Sequence, residues 1–129
     1  MIVIENDDAV TNYIERTLDI KVDRPCISFG FMTDDKSALC AILCNDFNGS
    51  NIEITMVSQR VTRGVLAWIA NYAFNHAKCR RITVRAKKRN KRSIRFITRV
   101  GFRYEAVIKR YFSDDDAVLF RMYPEDCRW

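Results

Sequence analysis

Asn90-Lys91-Arg92-Ser93-Ile94-Arg95-Phe96-Ile97-Thr98-Arg99-Val100-Gly101-Phe102 decides the fold. Ile94, Ile97 and Val100 recur about three residues apart, the spacing of one apolar stripe on an amphipathic helix. Asn90 precedes that helix, where a short polar side chain caps the first turn. Gly101 fits the left-handed residue that commonly ends a helix, and Phe102 then opens a strand.

Upstream, residues 80–86 read as a strand. Before them, residues 61–76 read as a helix, with Val61, Val65, Ile69, Tyr72 and Ala73 on its apolar face. That helix follows a basic turn, Gln59-Arg60-Val61-Thr62-Arg63, which itself follows a strand over 51–57. In the N-terminal part, residues 7–18 predict a helix with Val10, Tyr13, Ile14, Thr17 and Leu18 on one face and Asp7 or Asp8 as its cap. Residues 1–4 suit a short edge strand, and 26–32 and 37–46 suit two strands joined by Thr33-Asp34-Asp35-Lys36. Asn48-Gly49-Ser50 is the next turn, and residues 102–112 and 117–123 form a closing hairpin across Ser113-Asp114-Asp115-Asp116. The order predicts an α+β fold, a mixed sheet in which helix 61–76 crosses between two parallel strands.

The chain has 129 residues, 48% of them apolar and 12% aromatic, enough for the core of one domain spanning 1–129. Two prolines and four glycines leave no interdomain hinge. No apolar run approaches the length of a membrane span and the acidic start is not a signal peptide, so a cytoplasmic protein is expected. Five cysteines cannot all pair within one chain and none forms a Cys-x-x-Cys unit, which points to reduced core thiols and no metal site. The net charge is +6, with a pI of about 9.2. Its excess is concentrated between Lys78 and Arg103, a clustering suited to nucleic acid, an acidic partner, a phosphate-rich cofactor or simply a solvated face.

The series of strand, basic turn, helix, strand, Asn, helix and Gly-Phe resembles the C-terminal half of GNAT N-acetyltransferases. The likeness is nearest to the branch with ribosomal-protein N-terminal acetyltransferases and to small phage-encoded GNAT-like proteins. It implies a mostly antiparallel sheet whose central parallel pair splays around an acyl-CoA cleft, with a bulge in the strand before the crossover helix. It also implies acetyl-CoA as cofactor. Backbone groups of Met56 and Val57 would bond the pantetheine amides. The amides of Gln59, Arg60, Val61, Thr62 and Arg63 would surround the pyrophosphate at a helix N-terminus, a place where free N–H groups favour an anion. Asn90 would hold the pantetheine arm, its plain alternative being an N-cap, and Ser93 would donate to the departing thiolate.

Two departures from the family pattern stand out. The turn lacks the usual pair of glycines, offering only Gly64 in a shifted register, and Ile97 replaces the tyrosine that many members use as general acid. Acyl transfer to an amine requires a base and a donor to the leaving thiolate. Glu53 is the candidate base, on one strand face with Thr55 and Val57; an exposed cross-strand glutamate is the alternative. His76 is read as complementing a helix dipole, Glu105 and the terminal stretch as structural, and Trp129 as structural or an anchor for a partner or dimer.

Three functions follow from this reading. The first is acetyl transfer to a primary amine, such as a protein N-terminus or lysine. The second is a catalytically inactive GNAT-like protein of phage structure, assembly or host binding, with a homodimer or a virion or host protein as partner. The third, nucleic-acid binding by the basic cluster, is disfavoured because few aromatic rings lie within it to stack on bases.

Overall fold

The computed structural model describes residues 1–5, 8–23, 26–58 and 60–129. The elements run β1 (Ile2–Glu5), α1 (Asp8–Leu18), β2 (Ile27–Met32), β3 (Ala38–Asn45), β4 (Asn51–Ser58), α2 (Arg63–Ala70) with a π-helical continuation (Asn71–His76), β5 (Arg81–Lys87), α3 (Lys91–Arg99), β6 (Arg103–Ile108) and β7 (Ala117–Met122). A short 3-10 turn, Pro124–Asp126, follows. All seven strands form one sheet in the order β1-β2-β3-β4-β5-β7-β6. Every neighbouring pair is antiparallel except β4 and β5. The predicted mixed sheet and its crossover helix are both present.

β3 explains how the sheet is layered. Leu39 to Cys44 are all buried, so this strand is covered on both faces, as a continuous apolar run requires. On one face Ala41 and Leu43 join Val57 of β4 and the α1 stripe of Val10 and Ile14. On the other, Cys40, Ile42 and Cys44 join Phe29, Phe31, Ile52, Ile54 and the buried side of α2 and its continuation, Val65, Ile69 and Ala73. Both clusters follow from period-two strands meeting period-3.6 helices.

The crossover helix starts where Thr62 caps it, its Oγ1 accepting the Val65 amide at 3.2 Å. Its last six residues widen into π geometry, seen in the Ala77 N–H to Tyr72 carbonyl bond of 2.8 Å. Trp68, Tyr72 and His76, four apart, stack along it with centroids 5.5 and 5.3 Å apart. Phe29 packs edge-on against the first two.

Two expectations need correction. The closing hairpin is shorter than 102–112, because β6 ends at Ile108. Arg110 there turns to φ 56° and donates its amide to Asp116, while the Phe112 amide bonds the Asp115 carbonyl, so the chain folds into the acidic turn instead of extending the ladder. The carboxyls of that turn are held below their ordinary range, by the Lys87 ammonium at Asp114 and by the Arg89 and Arg110 amides at Asp115 and Asp116. The bulge expected in β4 is absent, since the β3–β4 ladder runs without a shift from Cys40↔Ser58 to Asn45↔Glu53. Asp7 and Gln59 lie outside the described residues, so only Asp8 and Arg60 to Arg63 of those cap and turn assignments are placed.

All five cysteines are free thiols. Burial pushes Cys40 and Cys44 up to about 12, far from the reactive thiolate range. In native protein at neutral pH, a thiol reagent is therefore expected to modify Cys26 and Cys127 within minutes. Cys40, Cys44 and Cys79 should react only after denaturant is added. Mass spectrometry of the labelled peptides checks this, and native labelling of Cys40 or Cys44 would contradict the packing described.

Candidate functional site

The site begins where the parallel pair fails. Asn51, Ile52 and Glu53 pair with Arg81, Ile82 and Thr83, and the ladder then stops. β4 continues to Ser58 along β3, while β5 continues to Lys87 along β7. Each strand follows its antiparallel partner, and the two halves of the sheet diverge. Among the described residues the facing edges of β4 and β5 beyond this point have no strand partner. Because antiparallel pairing uses alternate residues, the intervening ones direct their N–H and C=O groups into the gap. Met56, half-buried, and Val57, buried, lie in this stretch of β4.

The open end of α2 lies just past the tip of β4. The Val65 and Leu66 amides are satisfied by the Thr62 hydroxyl and carbonyl. The Arg63 and Gly64 amides have no partner among the described residues, as the first turn of a helix leaves them. A Cβ on Gly64 would meet nothing closer than 3.7 Å, so this glycine leaves space at the helix mouth. The Arg60 amide, predicted to face the same place, is instead bonded to the Leu39 carbonyl at 2.9 Å. Its side chain is exposed, whereas the Arg63 guanidinium rests 5.7 Å from the Trp129 ring centre.

Glu53, the candidate base, stands at the fork of the two strands. Its side chain is only 8% exposed, so the reading as an exposed cross-strand residue does not hold. Arg85, two residues beyond the last paired residue of β5, lies side-on to it, with Nη2 donating to Oε2 at 2.7 Å. Nε lies 2.5 Å from Oε1, at an angle that gives an ion pair and not a hydrogen bond. The guanidinium also lies over the Tyr111 ring at 4.6 Å. Burial pushes the Glu53 carboxyl above its ordinary value, the Arg85 charge and hydrogen bond pull it back, and Asp46 adds a further upward push. Sequence reasoning missed Arg85 and Tyr111. Residues 81–87 do place Arg81, Thr83 and Arg85 on one face, but which strand face they meet depends on the parallel register.

Asn90 caps α3, its Oδ1 accepting the Ser93 amide at 3.2 Å. The plain capping role is thus filled, and the side-chain NH₂ keeps both of its donors for another group. Ser93 is half-buried in the first turn. Ile97, at the tyrosine position, packs against the larger core cluster and offers no proton. The basic cluster divides in two. Arg81, Arg85, Lys87, Arg89 and Arg103 are ion-paired, whereas Lys91, Arg92, Arg95 and Arg99 stand exposed on α3. Trp129 donates its indole N–H to the Val100 carbonyl at 2.8 Å, which ties the C-terminal residues to the end of α3.

Two shallow concavities of about 310 and 320 Å³ lie elsewhere, one between α2 and Trp129, the other beside Gly101 and Asp126. Neither is lined by a residue of β4 or β5.

The backbone as a whole superposes on solved acetyltransferases. The spermidine/spermine N-acetyltransferase SpeG from Vibrio cholerae, in mutant form, superposes with a TM-score of 0.80 at 10% identity, covering 96% of this chain and 95% of that one. A chimera of the same Vibrio cholerae enzyme gives a TM-score of 0.81 at 10% identity, over 96% of each chain. The chain has the GNAT fold. A third structure, the dodecameric Vibrio cholerae spermidine N-acetyltransferase in an intermediate state, agrees at a TM-score of 0.78, with 10% identity and 96% and 94% of the two chains covered. No protein-family model and no curated protein matches the sequence. The GNAT fold is thus shared at the level of backbone.

Proposed function

We propose that this chain is an N-acetyltransferase that moves an acetyl group from acetyl-CoA to a primary amine. The observation that carries this is the parting of β4 and β5 after Glu53 and Thr83, with the open end of α2 beside it. The residues present fit the cofactor. Unpaired backbone around Met56 and Val57 would bond the pantetheine amides, and the Arg63 and Gly64 amides, with the Arg60 charge, would take the pyrophosphate. Asn90 would donate its free NH₂ to the pantetheine arm. Acetyl-CoA, when bound, supplies the acetyl thioester. Glu53 would accept the proton of the attacking ammonium, directly or through water, and Ser93 would donate a hydrogen bond to the sulfur as the C–S bond breaks. A protein N-terminus or lysine is the acceptor we favour, in the cytoplasm.

Calorimetry with acetyl-CoA and with coenzyme A tests this reading, and no heat at about 1 mM ligand would overturn it. Asn90→Asp sharpens the test. Aspartate keeps the oxygen that caps α3 but loses the amide donor, so the melting temperature should hold while affinity falls roughly 5- to 10-fold, the value of one directed hydrogen bond. Equal affinity would leave Asn90 as a cap alone.

A second reading, a non-catalytic GNAT-like protein binding a virion or host protein or a second copy of itself, is favoured by Ile97 in place of an acid and by Arg85 covering the base. Acetylation activity that a Glu53 substitution abolishes would exclude it.

A further inference from the structure

Three carboxylates, one of them at the fork, already hold cations. Glu53 is paired with Arg85, Glu105 with Arg81, and Asp126 with both Arg121 and Arg103. Arg85 is fixed from two sides, by the carboxylate on one and by the Tyr111 ring at 4.6 Å on the other. Its guanidinium thus sits against the carboxylate at the fork, where the ammonium of an acceptor would otherwise be drawn. A ligand with several ammonium groups gains affinity from unneutralised carboxylates, and the chain's net charge of +6 would repel it during approach.

We propose that Arg85 is a specificity-determining residue of the acceptor site: by occupying the Glu53 carboxylate at the fork, it closes the site to polycationic amines and restricts the acceptor to a single amine on a neutral or acidic carrier. The inference rests on the acetyl-transfer reading and names its substrate class. It separates this chain from the proteins whose backbone it shares, whose names specify spermidine or spermine. A monoamine brings a single ammonium, whose one proton Glu53 can take up while Arg85 stays beside it. A polyamine needs the carboxylate charge itself, which Arg85 has claimed.

The test uses the whole chain and two probes, spermidine and butylamine, titrated by calorimetry at about pH 8, where an ordinary carboxyl is ionised. Wild type should bind spermidine no more tightly than butylamine. Arg85→Met, which keeps the length of the side chain and removes its charge, should bind spermidine at least roughly tenfold more tightly than wild type, with butylamine affinity rising much less. The double variant Glu53→Gln with Arg85→Met should lose that gain, a reversal that a merely structural role of Arg85 would not produce. If Arg85→Met does not fold by circular dichroism, Tyr111→Ala loosens the same guanidinium from its outer side and should give a smaller gain of the same kind. Wild type binding spermidine more tightly than butylamine, or a folded Arg85→Met without a gain, overturns the proposal. These titrations need no coenzyme A, so a chain that fails to bind the cofactor would sink the acetyl-transfer reading while the polyamine comparison still stands as a result about the pair.

Discussion

Glu53→Gln is expected to lower the rate of acetyl transfer roughly 100-fold or more, the usual contribution of a positioned base, with coenzyme A affinity within about twofold of wild type. Glutamine keeps the shape of the side chain and one oxygen for the Arg85 Nη2 donor, so the fold survives. What disappears is the acceptor for the ammonium proton. Because burial holds the Glu53 carboxyl above its ordinary value, the acid limb of the wild-type pH profile should be shifted upward from that value and should be missing from the variant's residual rate. The stability sign is the reverse of that for a paired aspartate. A carboxyl whose folded value is raised stabilises the protein below its unfolded value, and that contribution is lost as pH rises through the folded one. Glu53→Gln should flatten this decline. Initial rates with a peptide amine, set beside melting curves, check both effects; a variant that keeps half of the wild-type rate would make Glu53 a purely structural partner of Arg85. Glu53→Ala should behave differently. It leaves the largely buried Arg85 guanidinium without its counter-ion and is expected to cost about 3 kcal/mol of stability in addition to the lost rate.

The largest effect on stability should come from Phe29→Ala, about 4 kcal/mol. Phe29 is 1% exposed and touches Trp68 and Tyr72 edge-on, with centroids 4.7 and 4.9 Å away. Removing the ring deletes its transfer free energy, opens a cavity between β2 and α2, and leaves two rings without their edge contacts. Phe47→Ala is the control. Phe47 is 53% exposed, and its loss should stay within about 0.5 kcal/mol. Urea unfolding followed by tryptophan fluorescence measures both. A Phe29→Ala cost under about 1.5 kcal/mol would show that the aromatic cluster does not anchor α2 to the sheet.

The α3 cap and stripe, the crossover helix and the alternation along the strands were all legible in the sequence. Each rests on neighbours a few residues apart, where side-chain spacing and backbone geometry are coupled directly. The same locality explains why Glu53 was found on β4 but its state was not. Its partner, Arg85, is thirty-two residues away and meets it only because Glu53 pairs with Thr83 at the end of a three-residue parallel ladder. Period-two reading gives each strand two faces and leaves open which face of one meets which face of another. The parting of β4 from β5 is also tertiary in origin. The family pattern attributes it to a bulge, yet here β4 is unbroken, and the gap opens because β5 pairs with β7 as far as Lys87↔Ala117. Likewise, Arg60 is exposed as its sequence suggests, but only packing against β3 gave its amide to Leu39. Local periodicity therefore determined the elements and the candidate residues. Long-range pairing decided which edges stayed open, which amides stayed free and which charge neutralised the base, since each of these depends on contacts between segments that the order of residues alone leaves unspecified.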